Sequence, residues 1–141
     1  MVVYTSFKDQ FSFNKRAAES LSIRSLYPDR IPIIVQTSKS SSLPPLERNK
    51  YLVPRNLTCG AFMSIIRKKI KSIGPEQALF LIYGNNSMMT SSRSVAQAYD
   101  DCADEDGNLY VFVSKESVFG ERVRKLNPYK TKFPRFCLTR R

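Results

Sequence analysis

Three cysteines are the residues of this chain most able to act as nucleophiles or metal ligands: Cys59, Cys102 and Cys137. They lie far apart in the sequence, and none has the C-x-x-C spacing of a zinc or redox site. The chain has no histidine, so the usual general base of hydrolases and the commonest zinc ligand are both missing. We therefore expect reduced thiols and no enzymatic activity, while an enzyme that uses Cys59 or Cys102 stays open as an alternative.

The acidic segment 100–107 is a second candidate for chemistry, because its carboxylates precede a glycine as in a calcium-binding loop. Placing Gly107 at the sixth loop position puts Cys102 at the first and Val113 at the twelfth, where oxygen ligands are required. We predict a solvated turn and no metal. The sequence also lacks a glycine-rich loop of the kind that binds nucleotide phosphates.

Positive charge is concentrated at the C-terminus. Residues 121–141 carry eight Lys or Arg and one acid, which accounts for +7 of the net charge of +11. With Tyr129, Phe133 and Phe136 among these basic residues, this tail could bind anionic membranes or RNA, or it could be an extension that is removed. Composition alone leaves both possibilities open.

The elements that must position any site begin with two helices, predicted over 6–10 and 13–26. The second has two faces at four-residue spacing, an apolar one of Phe13, Ala17 and Leu21 and a mixed one of Glu19, Ile23 and Tyr27. We expect the mixed face to be a partly exposed recognition edge. The β-branched run Ile31–Thr37 and the short run 51–53 then predict an antiparallel pair of strands joined by a long loop.

The second half alternates helices and strands. Thr58 is a helix cap, followed by the apolar stripe Phe62, Ile65, Ile66, Ile70 and Ile73, which we expect to face the core until Gly74-Pro75 ends the helix. The apolar run 79–83 predicts a central strand buried on both faces, 93–100 a short helix, and 109–113 a last strand after an Asp-Gly turn.

The element order is helix, helix, strand, strand, helix, strand, helix, strand. It predicts an α+β fold with a four-stranded mixed sheet, as in the ubiquitin-like β-grasp, preceded by two additional N-terminal helices. The pattern alone leaves a ferredoxin-like arrangement open. We divide the chain into a helical extension (1–27), a β-grasp domain (28–120) and the basic tail (121–141).

Five sequence motifs, taken together and in this order, are more specific than the element order: IPIIV from Ile31, KYLVP from Lys50, LTCGAF from Leu57, IIRKKI from Ile65 and SKESVFG from Ser114. Together they resemble the autophagy-related ubiquitin-like modifiers, the family of the GABA-receptor-associated protein and the microtubule-associated light chains. The similarity extends from about residue 6 to residue 120. Family membership implies a protein that is the substrate of conjugation and has no catalytic residues of its own.

The resemblance implies processing at the C-terminus. A dedicated cysteine protease would cut between Gly120 and Glu121, and activating and conjugating enzymes would then transfer Gly120 to phosphatidylethanolamine. Apart from that covalent lipid no cofactor is expected. The protein would be cytoplasmic, and it would lie on autophagosome membranes and cytoplasmic vesicles when lipidated.

The resemblance also implies docking of cargo receptors and adaptors through a short aromatic-x-x-aliphatic motif, added as a strand beside Ile31–Thr37. By the family match, one pocket would receive the aromatic side chain. Its residues are Glu19, Ile23, Pro32, Ile34, Lys50, Leu52 and, at its side, Asn108. A second pocket would receive the aliphatic side chain, and by the same match its residues are Tyr51, Val53, Pro54, Leu57, Phe62 and Ile65. Flanking acids would meet a charged rim of Arg48 and Arg67 as well as Lys50.

This chain differs from the family pattern in two places. Asn108 stands where an aromatic residue is usual, which would widen or weaken the aromatic pocket. The tail of 21 residues after Gly120 is long for the family. The remaining alternative is a basic protein that binds RNA or anionic membranes through an uncleaved tail, although nucleic acid is the less expected partner.

Overall fold

The computed structural model describes residues 6–38, 43, 46, 48–70, 74 and 77–115. Within them the chain forms eight elements in the predicted order. They are α1 (Phe7–Gln10), α2 (Phe13–Leu26), β1 (Arg30–Thr37), β2 (Lys50–Pro54), α3 (Cys59–Lys69), β3 (Phe80–Tyr83), α4 (Val95–Cys102) and β4 (Leu109–Ser114).

The four strands form one mixed sheet in the order β2-β1-β4-β3. β1 pairs antiparallel with β2 and parallel with β4, and β3 pairs antiparallel with β4. This topology confirms the β-grasp and excludes a ferredoxin-like arrangement. It also shows that the prediction of a central strand at 79–83 was wrong, because β3 lies at the sheet edge and the central positions belong to β1 and β4. A continuous apolar run marks burial, but it does not reveal how many neighbours a strand has.

Each of the three longer helices begins at a hydroxyl cap. Ser12, Thr58 and Ser94 accept hydrogen bonds from backbone N–H groups in the first turns of α2, α3 and α4. α3 ends at Lys69, earlier than predicted, because Ile70 adopts an extended conformation and buries its side chain. Ile73 lies outside the described residues.

The larger core lies on the face of the sheet that α3 and α4 cover. Because side chains alternate along a strand, Ile31, Ile33 and Val35 of β1 point to this face. They meet residues of α3 and α4, among them Phe62, Ile66, Val95 and Ala98. Burial of this apolar surface provides the main stabilisation of the domain.

The opposite face of the sheet is covered by α1 and α2. Phe7 of α1 packs against Ile34 and Tyr110 in a second, smaller cluster, and its backbone N–H donates to Gln36 Oε1 at 2.6 Å. The apolar face predicted for α2 does not take part, since Phe13 and Leu21 are exposed. α2 instead buries its polar residues Arg16 and Ser20.

A buried ion pair explains why α2 turns a polar side inward. Arg16 Nη1 donates to Asp106 Oδ2 at 2.7 Å, and the Tyr110 hydroxyl donates to the same oxygen at 2.6 Å. Asp106 is fully buried, so the prediction of a solvated turn was wrong for this residue. A charged group leaves water in this way only when partners satisfy it, and the charged partner, Arg16, lies 90 residues away in the chain.

These partners also set the charge state of Asp106. Burial acts to raise the pKa of its carboxyl, but the hydrogen bonds from Tyr110, the Asn108 backbone and Arg16 outweigh burial and hold that pKa below its ordinary value. Asp106 is thus an ionised buried carboxylate that joins the last turn before β4 to α2.

Candidate functional site

A pocket of about 120 Å³ lies between α2 and the β1–β2 pair. All seven residues assigned to the aromatic pocket line it, namely Glu19, Ile23, Pro32, Ile34, Lys50, Leu52 and Asn108. Three further residues complete the lining: Ser20 and Ile33, which the sequence did not identify, and Tyr51, which was assigned to the aliphatic pocket. The four-residue spacing of Glu19 and Ile23 on α2 was the signal that located this edge, and Ser20 is adjacent to it in sequence.

A charged pair lies at this pocket. Lys50 Nζ and Glu19 Oε2 are 2.8 Å apart, and both side chains are about half exposed. The Lys50 ammonium also lies 5.6 Å from the centre of the Phe7 ring. An exposed pair of this kind contributes only about 0.2–1 kcal/mol, so an incoming charged group can replace either partner at little cost.

The residues assigned to the aliphatic pocket differ widely in exposure. Phe62 is 0% exposed and meets the Tyr51 ring edge-on at 6.0 Å between centroids, so it supports the site from within the core. Ile65 is 38% exposed, so the expectation that it faces the core was wrong. Val53 is buried, while Pro54 and Leu57 are half-buried.

The two arginines of the predicted charged rim differ in their contacts. Arg48 is exposed. Arg67 Nη2 donates to the backbone carbonyl of Gly74 at 2.9 Å and also to that of Gln77, so its guanidinium is engaged by its own chain. Arg30, which the sequence analysis did not single out, donates from Nη1 to the carbonyl oxygen of Leu52 on β2 at 3.5 Å.

The strand edge beside the pocket belongs to β2. The predicted docking edge, β1, is paired on both sides, because β2 and β4 flank it. The Val35 N–H donates to the Asn49 carbonyl, and the Arg55 N–H donates to the Asp29 carbonyl. Bonding alternates along an antiparallel pair, so the intervening residues Tyr51 and Val53 also bond toward β1.

The backbone groups of Lys50 and Leu52 therefore point away from β1, toward the free edge of β2. Pro32 lies opposite Leu52 in the register and has no N–H, which agrees with this assignment. An outer strand with N–H and C=O groups that face no other strand is a template for one more strand, although the Leu52 carbonyl here also accepts a hydrogen bond from Arg30 Nη1 at 3.5 Å. β1 has no free edge, so the expectation of an added strand beside Ile31–Thr37 was wrong, and the free edge beside the pocket belongs to β2.

The two cysteines within the described residues differ in burial and in their contacts. Cys59 is 0% exposed, and its Sγ lies 3.7 Å from the Tyr83 hydroxyl. Burial raises the pKa of the Cys59 thiol, which disfavours the reactive thiolate. Cys102 is half-buried and its Sγ accepts a hydrogen bond from Asn85 Nδ2 at 3.5 Å. Cys137 lies outside the described residues.

Neither a metal-binding cluster nor a membrane-spanning helix occurs in the described part of the chain. It contains no group of three or more Cys, Asp or Glu side chains placed to hold a metal ion. None of its helices is both long enough and apolar enough to cross a bilayer. Gly120 and Glu121, the predicted processing site, lie outside the described residues.

Comparison with known proteins agrees with this geometry. Residues 15–120 match the family described as "Autophagy protein Atg8 ubiquitin like". The chain is 43% identical over 116 residues to Autophagy-related protein 8d of Arabidopsis thaliana, covering 82% of this chain and 95% of that protein. It is 42% identical over 117 residues to Autophagy-related protein 8 of Mycosarcoma maydis, covering 83% and 98%.

Solved structures show the same similarity. Trypanosoma brucei ATG8 superposes with a TM-score of 0.72 at 37% identity, covering 79% of this chain and 95% of that one. Plasmodium falciparum Atg8, solved in complex with a Plasmodium falciparum Atg3 peptide, superposes with a TM-score of 0.73 at 35% identity, covering 81% and 98%. By its sequence, its sheet topology and these matches, the chain belongs to the Atg8 family of ubiquitin-like autophagy proteins.

Proposed function

We propose that this protein is a conjugated modifier of autophagy that is cut after Gly120 and joined through that glycine to phosphatidylethanolamine. One observation and one chemical argument support the proposal. The family match ends at residue 120, and the 21 residues that follow lie beyond it. A C-terminal glycine has no Cβ, so its carboxylate can enter narrow enzyme clefts in an extended conformation.

In this role the chain is a substrate and not a catalyst. A cysteine protease exposes the Gly120 carboxylate, and activating and conjugating enzymes carry it to the lipid amine. The two acyl chains then hold the protein on autophagosome membranes and vesicles, since each buried CH₂ contributes about 0.8 kcal/mol. Before conjugation the protein is cytoplasmic, and it has no cofactor other than this covalent lipid.

Mass spectrometry of the protein isolated from its own cells tests this proposal. We expect chains that end at Gly120, together with a lipid adduct of the same chain. The Gly120→Ala variant should remain in the soluble fraction, and a matched Gly84→Ala variant should reach membranes normally. Cells that retain residues 121–141 on every molecule would contradict the proposal.

The second part of the proposed function is the docking of short peptides at the β2 edge. The observation that carries it is the position of the pocket beside Lys50 and Leu52, whose backbone groups face outward. A peptide strand would take its affinity from those groups, and the pocket would receive its aromatic side chain. The Atg3 peptide bound to the Plasmodium falciparum relative supports a peptide partner, here a conjugating enzyme, a cargo receptor or an adaptor.

Binding of a synthetic acidic peptide with an aromatic-x-x-leucine motif tests the docking site. We expect saturable binding that is lost when alanine replaces the aromatic residue. Leu52→Ala, which shortens a pocket wall, should weaken binding several-fold, while Leu21→Ala on the far face of α2 should not. Equal effects of the two variants would place the peptide elsewhere.

A second candidate function is permanent binding to anionic surfaces through the tail. The observation that favours it is the charge of +7 carried by residues 121–141. It differs from the first proposal in requiring an uncleaved chain.

A further inference from the structure

The pocket has an unusual polar part within otherwise apolar walls. Ile23, Pro32 and Leu52 supply apolar surface, whereas Ser20 and Asn108 are polar lining residues with exposures of only 2% and 5%. Glu19 and Lys50 are about half exposed and can remain in water when the pocket is filled. Ser20 and Asn108 cannot, so a docked side chain must come into contact with them.

The backbone of Asn108 is fixed, but its side-chain amide is not. The Asn108 N–H donates to Asp106 Oδ1 at 2.9 Å, and its carbonyl accepts from the Asp104 N–H at 2.8 Å. Over residues 6–115, as far as they are described, no hydrogen bond engages its side-chain amide. Ser20 differs, because its Oγ accepts a hydrogen bond from Arg24 Nε at 3.1 Å.

An apolar ring in this pocket would bury the Asn108 amide without a partner. Burying a polar group unpaired costs more than a typical hydrogen bond returns, so such a site discriminates against ligands that lack a matching polar group. A ring with a hydrogen-bonding group at its tip avoids that cost. The pocket opens to solvent, and its volume of about 120 Å³ is close to the roughly 150 Å³ cavity that holds one benzene molecule, so it suits a single ring.

We propose that Asn108 is a specificity-determining residue that makes this pocket prefer tyrosine over phenylalanine at the aromatic position of the docked peptide. Tyrosine combines a single ring with a hydroxyl that can donate to Asn108 Oδ1 or accept from its Nδ2. This inference rests on the proposed peptide docking. It assigns to this chain a narrower class of partner than the aromatic-x-x-aliphatic motif.

Two peptides that differ only in tyrosine or phenylalanine at the aromatic position provide the test. We expect the wild-type protein to bind the tyrosine peptide about tenfold more tightly. Asn108→Leu keeps the size of the side chain and removes the amide, and it should abolish or reverse the preference. Asn108→Ala is the second variant, and urea unfolding of both establishes that they are folded.

Equal affinity of the wild-type protein for the two peptides, or tighter binding of phenylalanine, would overturn the assignment while leaving the docking site in place. A tyrosine preference that persists in both variants would also overturn it. Failure of both peptides to bind the wild-type protein would overturn the docking proposal itself, and this inference with it.

Discussion

Asp106 is the residue that most directly connects the charge state of this protein to its fold. Its carboxylate is fully buried and receives hydrogen bonds from Arg16, Tyr110 and the Asn108 backbone. The sequence showed an acid in an acidic turn, and nothing local distinguished it from its solvated neighbours. Its burial depends on the positive charge of Arg16, which lies 90 residues earlier in the chain and contacts it in the fold.

We expect Asp106→Asn to lower the free energy of unfolding by about 3 kcal/mol at pH 7, because it leaves the buried Arg16 without its counter-charge. The pKa of Asp106 is lowered in the folded state, so its contribution is complete above the unfolded pKa of about 3.9 and is lost as the pH falls through the folded pKa. The difference between variant and wild type should therefore shrink in acid. Urea unfolding from pH 7 to pH 3 measures it.

Arg93→Gln is the control for that comparison. Arg93 pairs with Asp101, and both side chains are substantially exposed. Its loss should cost less than about 1 kcal/mol, as is typical of surface ion pairs. A similar loss in the two variants would show that burial of Asp106 contributes nothing.

Gly107 is the second residue on which the packing of α2 against the turn before β4 depends. Its φ of +92° is one that residues with a Cβ rarely adopt, and an added Cβ would lie 2.4 Å from Ser20 Oγ. We expect Gly107→Ala to destabilise the fold by about 1–3 kcal/mol. At Gly84 the nearest atom would be 3.6 Å away, so Gly84→Ala should cost less than about 1 kcal/mol in the same thermal or urea unfolding experiment.

At the scale of elements, β2 is the strand whose two edges differ. Tyr51 and Val53 bond toward β1, and Lys50 and Leu52 face outward. We expect the amides of Lys50 and Leu52 to exchange rapidly with solvent deuterium in the free protein, because they have no partner strand. A docked peptide should slow them by tenfold or more, and the amides of Tyr51 and Val53 should be slow in both states.

The same peptide with alanine at its aromatic position is the control for this exchange experiment. It should leave all four amides unchanged when added at the same concentration. Protection confined to β3, the other edge strand, would disagree with the proposed docking site.

The elements also show how far the sequence could be read. Every helix and strand was predicted, because signals such as the Thr58 cap, the apolar stripe of α3 and the β-branched run of β1 act locally. The position of β3 at the sheet edge could not be predicted, because the pairing of β3 with β4 depends on long-range contacts that no local pattern encodes. The pocket residues were identified through family resemblance, whereas Ser20 and Ile33 became visible only when α2 was placed over the sheet.

At the scale of the whole molecule, charge separates the domain from its tail. Residues 1–120 retain a net charge of +4 once the tail's +7 is removed. We expect the full chain to bind vesicles with anionic lipids at 50 mM salt and to lose most of that binding at 200 mM, because the attraction is electrostatic. Sedimentation of the vesicles measures the bound fraction.

The chain truncated after Gly120 is the matched control for vesicle binding. It should bind far more weakly at 50 mM salt, since it lacks the aromatic residues as well as most of the charge. Equal binding of the two forms would assign the interaction to the folded domain. It would also remove the support for a permanently membrane-bound tail.

The parallel pairing of β1 with β4 has a mechanical consequence. Five residue pairs join these strands, from Ile33–Leu109 to Thr37–Val113. A tether at the chain end that follows β4 and an opposing pull on β2 would act along the strand axes. The force would then load the hydrogen bonds that join β4 to β1 and β1 to β2 in shear. Separating these strands would require many hydrogen bonds to break at once. β3 lies outside this line of tension, so stretching the molecule should leave it unloaded.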